Sequence, residues 1–93
     1  MIGSQKLYNT TEDILNTAVQ HLQLKQFRQL VTIAATGSIR QAAEILSISQ
    51  PALSRSIRTI EDSMSVKLMN RGPRGVELTE FGQTLVDYGK QIE

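Results

Sequence analysis

The segment from Ser49 to Glu61, SQPALSRSIRTIE, constrains the fold most because it predicts a helix with two different faces. Leu53, Ile57 and Ile60 recur at helical spacing and form an apolar stripe. The other face carries Pro51, Ser54, Arg55 and Arg58. Short side chains allow close approach to another surface, and arginine fits phosphate oxygens or a guanine edge. The segment therefore predicts a helix that lies in the DNA major groove, and the alternative is a solvated face that happens to be basic.

The residues before this segment predict a second helix joined to it by a tight turn. Ser38 and Gln41 have capping-box spacing, which indicates a helix start. An apolar stripe at helical spacing follows, made of Ile39, Ala42, Ala43 and Leu46. The connection 47–49 is short, and Ser49 can cap the next helix, whose first turn tolerates Pro51. Two short helices joined in this way predict a helix-turn-helix.

A short hairpin is predicted after the basic helix. The stretches 66–68 and 76–78 alternate apolar and polar residues, as half-buried strands do. The turn 72–75, Gly-Pro-Arg-Gly, separates them. Beside a helix-turn-helix such a hairpin is a wing, whose Arg71 and Arg74 are expected to reach a phosphate or the minor groove. The alternative is a solvated turn whose arginines only favour solubility.

From Leu24 onward the sequence resembles the N-terminal region of LysR-type transcriptional regulators. The resemblance rests on an ordered set of segments: LKQF at 24–27, GSI at 37–39 with AA at 42–43, SQPALSR at 49–55 with Ile57, Ile60-Glu61, Leu68, Arg71, and GVELT at 75–79 with Gly82. Two positions depart from it: Ser65 stands where the family usually has glycine, and Met69 where it usually has phenylalanine. The resemblance implies a mainly α, winged helix-turn-helix fold, with a three-helix core and a two-stranded wing at 24–78 and a linker helix at 79–93.

The same resemblance implies that the linker helix pairs two chains. Phe81, Leu85, Tyr88 and Ile92 are spaced as in the seam of a coiled coil. If Leu78 and Val86 widen this stripe, the helix instead packs on its own domain. Family members continue into a larger domain that binds a small-molecule effector, so we expect the chain to be a fragment, with its linker helix truncated.

Residues 1–23 precede the resemblance and are predicted to be partly helical. Thr10 and Asp13 have capping-box spacing, and an amphipathic stripe of Ile14, Leu15, Ala18, Val19 and Leu22 follows. This extension either docks on a partner chain, packs on its own domain or extends the first core helix.

Composition argues against other classes of protein. The one histidine, His21, has no nearby acid pair or cysteine, so we expect no enzyme, and no motif implies a metal or a cofactor. The absence of cysteine suits a cytoplasmic location, and no secretory signal or membrane-spanning run is recognised. The formal net charge is only +1, but basic residues are concentrated between Gln50 and Val76.

These observations predict a sequence-specific, double-stranded DNA-binding domain of a homodimeric regulator. The predicted DNA-binding residues are Ser38, Arg40, Ser49, Gln50, Pro51, Ser54, Arg55, Arg58, Arg71 and Arg74. Gln50 is expected to read adenine and Arg55 guanine, whereas Arg58 is expected to contact a phosphate. The alternatives are a protein-interaction module on a helix-turn-helix core and the DNA-binding segment of a transposase or recombinase.

Overall fold

The computed structural model describes residues 8–92, which form helices and one antiparallel hairpin. The elements are α1 (Thr11–His21), α2 (Leu24–Thr36), α3 (Ile39–Leu46), α4 (Gln50–Met64), β1 (Met69–Gly72), β2 (Gly75–Leu78) and α5 (Glu80–Ile92). The predicted mainly α, winged helix-turn-helix fold is thus confirmed. The first part of the predicted extension, 1–7, and the last residue of the linker helix lie outside the described residues.

Hydroxyl side chains begin α1, α3, α4 and α5. The hydroxyls of Thr10, Ser38, Ser49 and Thr79 accept hydrogen bonds from backbone N–H groups of the helix that follows each of them. The capping box at Ser38 forms only in part. The backbone N–H of Ser38 donates to the hydroxyl of Thr36, at 3.3 Å, and not to the side chain of Gln41. Gly37, in the left-handed region at φ 68°, ends α2.

One hydrophobic core joins all five helices and the start of the wing. Leu30 and Ile33 of α2, Ala42 of α3 and Leu53 and Ile57 of α4 are fully buried within it. Met69, where the family usually has phenylalanine, is also buried. None of the helices between residues 8 and 92 is long and apolar enough to cross a bilayer.

The first strand of the wing begins at Met69 rather than at Val66, so the predicted strand at 66–68 is wrong. Residues 65–68 instead connect α4 to the wing. Ser65 ends α4 in the left-handed region at φ 59°, and the N–H of Val66 donates to the carbonyl of Glu61. The predicted turn is confirmed, since Gly72 pairs with Gly75 across a two-residue loop.

Two glycines let the wing approach the helices closely. Gly75 lies at φ +112°, and a Cβ there would come within 2.5 Å of the carbonyl oxygen of Gly37. The N–H of the next residue, Val76, donates to that same oxygen. A Cβ on Gly82 of α5 would collide with the carbonyl oxygen of Leu68. The wing is therefore anchored to the corner between α2 and α3 and to the start of α5.

The apolar stripe of α5 packs largely within its own chain. Leu85 is fully buried in the core, together with Val86. Tyr88 is half-buried and meets Phe27 edge to face, with ring centroids 5.4 Å apart. Phe81 is half-buried, and Ile92 alone of the four predicted seam residues is exposed, at 36%. The stripe is wider than a two-position seam because Val86 extends it, which explains the packing on α2.

The extension before Leu24 also packs on its own domain. Ile14, Ala18 and Leu22 are buried, whereas Val19 is exposed. Before α1, the hydroxyl of Tyr8 donates to the carbonyl of Met64 at the end of α4, at 2.8 Å. Burial raises the pKa of this phenol above its ordinary value, and a hydrogen bond with Thr17 offsets part of the rise.

Candidate nucleic-acid interface

The two predicted faces of α4 are confirmed. Leu53, Ile57 and Ile60 are buried against the core. Pro51, Arg55 and Arg58 are exposed on the other side of the helix, and Ser54 is half-buried between them. Since buried residues hold one side of α4 so completely, its orientation is fixed and its basic side faces solvent.

The start of α4 is a compact polar corner. Ser49 accepts a hydrogen bond from the N–H of Ala52, at 3.1 Å, and leaves its own hydroxyl hydrogen free to donate elsewhere. Gln50 and Pro51 are exposed beside it. Ser47, at φ 59°, turns the chain between α3 and α4, and the N–H of Ile48 donates to the carbonyl of Ala43. This turn brings the N-terminus of α4 to the surface, where Ser49, Gln50 and Pro51 are exposed.

A polar contact that sequence reasoning missed holds α4 on α2. The hydroxyl of Ser56 donates to the side-chain oxygen of Gln29. Both residues are half-buried, and their helices are otherwise joined by apolar packing. The sequence carries no signal for this pair, because each residue alone looks like an ordinary polar helix position.

The wing reaches the exposed side of α4. The guanidinium of Arg71 on β1 lies 3.4 Å from the hydroxyl oxygen of Ser54, so two residues predicted separately lie together. This hydrogen bond is long, and both partners remain accessible enough to exchange it for another acceptor. Arg74 is exposed in the turn of the wing.

An open groove of about 840 Å³ runs between the end of α4 and β1. Arg58, Lys67 and Arg71 line it on the basic side, with Glu61 and Asp62 among its other lining residues. The carboxylate of Glu61 accepts a hydrogen bond from the N–H of Leu68, at 2.7 Å, and a longer one from Met69. Its charge is therefore directed at the backbone of the wing. Glu61 positions the wing on α4, a role that the sequence did not reveal.

Ser38 and Arg40 lie at the start of α3. Ser38 is half-buried, with its hydroxyl accepting from the N–H of Gln41 at 3.1 Å. Arg40 forms an ion pair with Glu44 one turn later, at 3.3 Å, with both side chains largely exposed. Exposed pairs of this kind contribute at most about 1 kcal/mol, so Arg40 can exchange its partner at little cost.

No cluster of three or more metal-ligating side chains occurs among residues 8–92. The side chains gathered around α4 are cations, hydroxyls and an amide. These groups bind anions and the polar edges of bases by hydrogen bonding and charge.

Several known proteins match the part of the chain that contains this interface. The chain is 41% identical over 69 residues to the SDS degradation transcriptional activation protein of a Pseudomonas species, with 74% of this chain and 22% of that protein covered. It is 45% identical over 69 residues to a probable RuBisCO transcriptional regulator of a Synechocystis species, covering 74% of this chain and 20% of the relative. The chain thus spans about a fifth of the length of these curated relatives.

Solved structures match the fold as well. The DNA-binding domain of BenM in complex with catB site 1 DNA superposes with a TM-score of 0.72 at 32% identity, covering 76% of this chain and 80% of that one. The DNA complex of the CbnR DNA-binding domain gives a TM-score of 0.71 at 30% identity, covering 76% and 82%. The model of the bacterial regulatory helix-turn-helix proteins of the LysR family matches residues 24–83. The chain therefore belongs to the LysR family.

Proposed function

We propose that this chain binds double-stranded DNA in a sequence-specific manner, as the DNA-reading part of a transcriptional regulator. The observation that carries the proposal is the exposed side of α4, where Arg55 and Arg58 stand opposite a fully buried apolar stripe. An α-helix fits the major groove, where guanine offers two acceptors to an arginine fork. The relatives with transcriptional regulation in their names, and the related domains solved with DNA, support the same function.

The residues of α4 divide into those that read bases and those that hold the backbone. Arg55 reads guanine and Gln50 reads adenine through paired hydrogen bonds. Arg58 lines the groove beside the wing and binds a phosphate there. Ser49 and Ser54 are short, so they contact phosphates or permit close approach.

The wing and the start of α3 contribute flanking contacts. Arg71 exchanges its hydrogen bond with Ser54 for one with a phosphate. Arg74, at the turn of the wing, enters the adjacent minor groove or contacts its phosphates. Arg40 and Ser38 bind the backbone on the other side of α4. Contacts of this kind fix the register of the protein on the duplex but carry little sequence information.

Two copies act together on a two-fold operator, paired through α5 with Phe81, Leu85, Tyr88 and Ile92. A two-fold dimer presents two reading helices, so the operator is a pseudo-palindrome. The whole protein acts in the cytoplasm, where its DNA lies, and responds to a small-molecule effector through a further domain.

Selection of bound sites from a random duplex pool tests the proposal. We expect the chain to enrich a short motif, and Arg55→Ala to lose preference at one base pair of it. Arg28→Ala is the matched control, because Arg28 is exposed beside Leu24 and Ile92, at the end of α5. Enrichment of no motif, or the same motif with unchanged preference for Arg55→Ala, contradicts the proposed reading.

A further inference from the structure

The helix α1 stands outside the family match, which begins at residue 24. It is nevertheless part of the core, since Ile14 and Ala18 are 2% and 0% exposed. Its apolar side packs on α5 and on α4. An element that this chain adds to the shared fold therefore covers a surface of that fold.

The contacts identify which side of α5 is covered. The ring of Tyr8 lies 6.1 Å from that of Phe81, centroid to centroid. A small hollow between the two helices is lined by Thr11 and Ile14 from α1 and by Phe81 and Thr84 from α5. Helical spacing places Leu85 farther along the same side, whereas Tyr88 meets Phe27 of α2. This is the side that the heptad spacing predicts for pairing with a second chain.

The remaining surface of α5 offers little to a second chain. Gly82, Val86 and Gly89 are buried, with Gly82 close to the wing and Gly89 close to α2. The exposed residues of α5 are Glu80, Gln83, Asp87, Lys90, Gln91 and Ile92. Only Ile92 among these is apolar, and a polar helix face does not drive pairing by apolar burial. While α1 stays docked, the apolar side of α5 has no room for a partner.

We propose that α1 is an intramolecular cover, which competes with a second copy of this chain for the apolar side of α5. The inference rests on the proposed function, in which α5 pairs two chains. Eleven residues make a helix that is marginal on its own, so α1 depends on docking for its stability. Pairing of α5 and docking of α1 exclude each other, so weakening one strengthens the other.

A substitution in α1 tests this competition. Ile14→Ala removes buried apolar contacts of α1, whereas Ile33→Ala makes the same change at a fully buried position of α2, outside the cover. In sedimentation equilibrium we expect Ile14→Ala to dimerise at least about tenfold more tightly than the unsubstituted chain. Ile33→Ala should not. Equal dimerisation of the two variants, or no gain for Ile14→Ala, overturns the proposal.

A covalent lock provides the opposite test and does not depend on a destabilised variant. The chain has no cysteine, so Thr11→Cys with Thr84→Cys, both at the rim of the same hollow, can be joined by a flexible bismaleimide. The locked protein should stay monomeric at concentrations where the unlocked double variant dimerises. Pairing of the locked protein as tight as that of the unlocked double variant overturns the cover.

Binding to a duplex with a single half-site separates this inference from the proposed function. The half-site contacts come from α4 and the wing, so locked and unlocked proteins should bind it equally. If half-site binding is retained but locking does not change the pairing of two chains, the result contradicts the cover and not the proposed function. Absence of half-site binding in the unsubstituted chain contradicts the proposed function, and with it the basis of the cover.

Discussion

The exposed side of α4 and the apolar side of α5 are both helix faces that the sequence pattern identifies, yet one is open to solvent and the other is buried within the chain. On α4 the patterned polar face is free, with Arg55 and Arg58 exposed. On α5 the patterned apolar face is occupied within the chain, with Leu85 fully buried. A polar face on a well-anchored helix is open to an external ligand. An apolar face only has to be buried, and its partner can come from either chain.

The largest expected effect comes from a charge placed in the apolar side of α5. Leu85→Asp places a charge in a fully buried site, and we expect it to lower the free energy of unfolding by at least about 4 kcal/mol. Gln83→Asp, on the exposed side of the same helix, loses a hydrogen bond to Asp87 and places a like charge beside it, so it should lower this free energy by no more than about 1 kcal/mol. Urea unfolding followed by circular dichroism measures both. A folded Leu85→Asp with unchanged stability would mean that α5 does not pack on its own domain in solution.

The next largest effect is on DNA binding by the exposed side of α4, and it leaves the free energy of unfolding unchanged. Arg55→Ala should weaken binding to a selected duplex by about 1–3 kcal/mol and relax the preference at one base pair. Arg58→Ala should weaken matched and mismatched duplexes alike and reduce the salt slope by about 1. Binding of both variants at several salt concentrations separates the two roles. A uniform loss for Arg55→Ala would remove its base-reading role.

Local rules predicted most of the fold. The helix starts at Thr10, Ser38 and Ser49 were recognisable because a cap acts over three residues of sequence. The start of the first strand was not, because Val66 alternates like a strand residue but is bonded to the carbonyl of Glu61. The hydrogen bond from Leu68 to Glu61 spans seven residues and depends on how the chain turns after α4, which no periodic pattern specifies.

The candidate site divides in the same way. The exposed arginines of α4 follow from helical periodicity alone, since the buried stripe determines where the other face points. The contacts of Arg71 with Ser54 and of Gln29 with Ser56 join residues far apart in sequence, so no local sequence pattern predicts them. The partner of the α5 stripe was undetermined for a physical reason: heptad spacing specifies burial and leaves the covering surface open.

A smaller effect on stability is expected at Ser65, where the chain leaves α4 on its way to the wing and α5. Ser65 ends α4 in the left-handed region, where a side chain costs about 1–2 kcal/mol relative to glycine. Ser65→Gly should therefore stabilise the domain by about 1 kcal/mol, part of the gain being offset by the freedom of glycine in the unfolded chain. Ser63→Gly, within α4, should destabilise it by a fraction of a kcal/mol. Thermal unfolding compares them, and a loss of stability in Ser65→Gly would contradict the assigned conformation.

The smallest effect lies at the tip of the wing. Arg74→Ala should lower affinity for the selected duplex by up to about 1 kcal/mol, as expected for one exposed charge contact. Its melting temperature should stay unchanged, because an exposed turn residue carries little packing. Footprinting should lose protection just outside the major-groove half-site. Unchanged affinity and protection would show that the wing does not touch DNA.

The most direct test of the account is an amide chemical-shift map of the unsubstituted chain, titrated with the selected duplex. We predict that the largest changes fall at the start of α4, from Gln50 to Arg58, and at the turn of the wing near Arg74. The exposed side of α1 around Val19 should change little. Large changes along α1 with α4 unperturbed would contradict the claim that the exposed side of α4 is the DNA-reading surface.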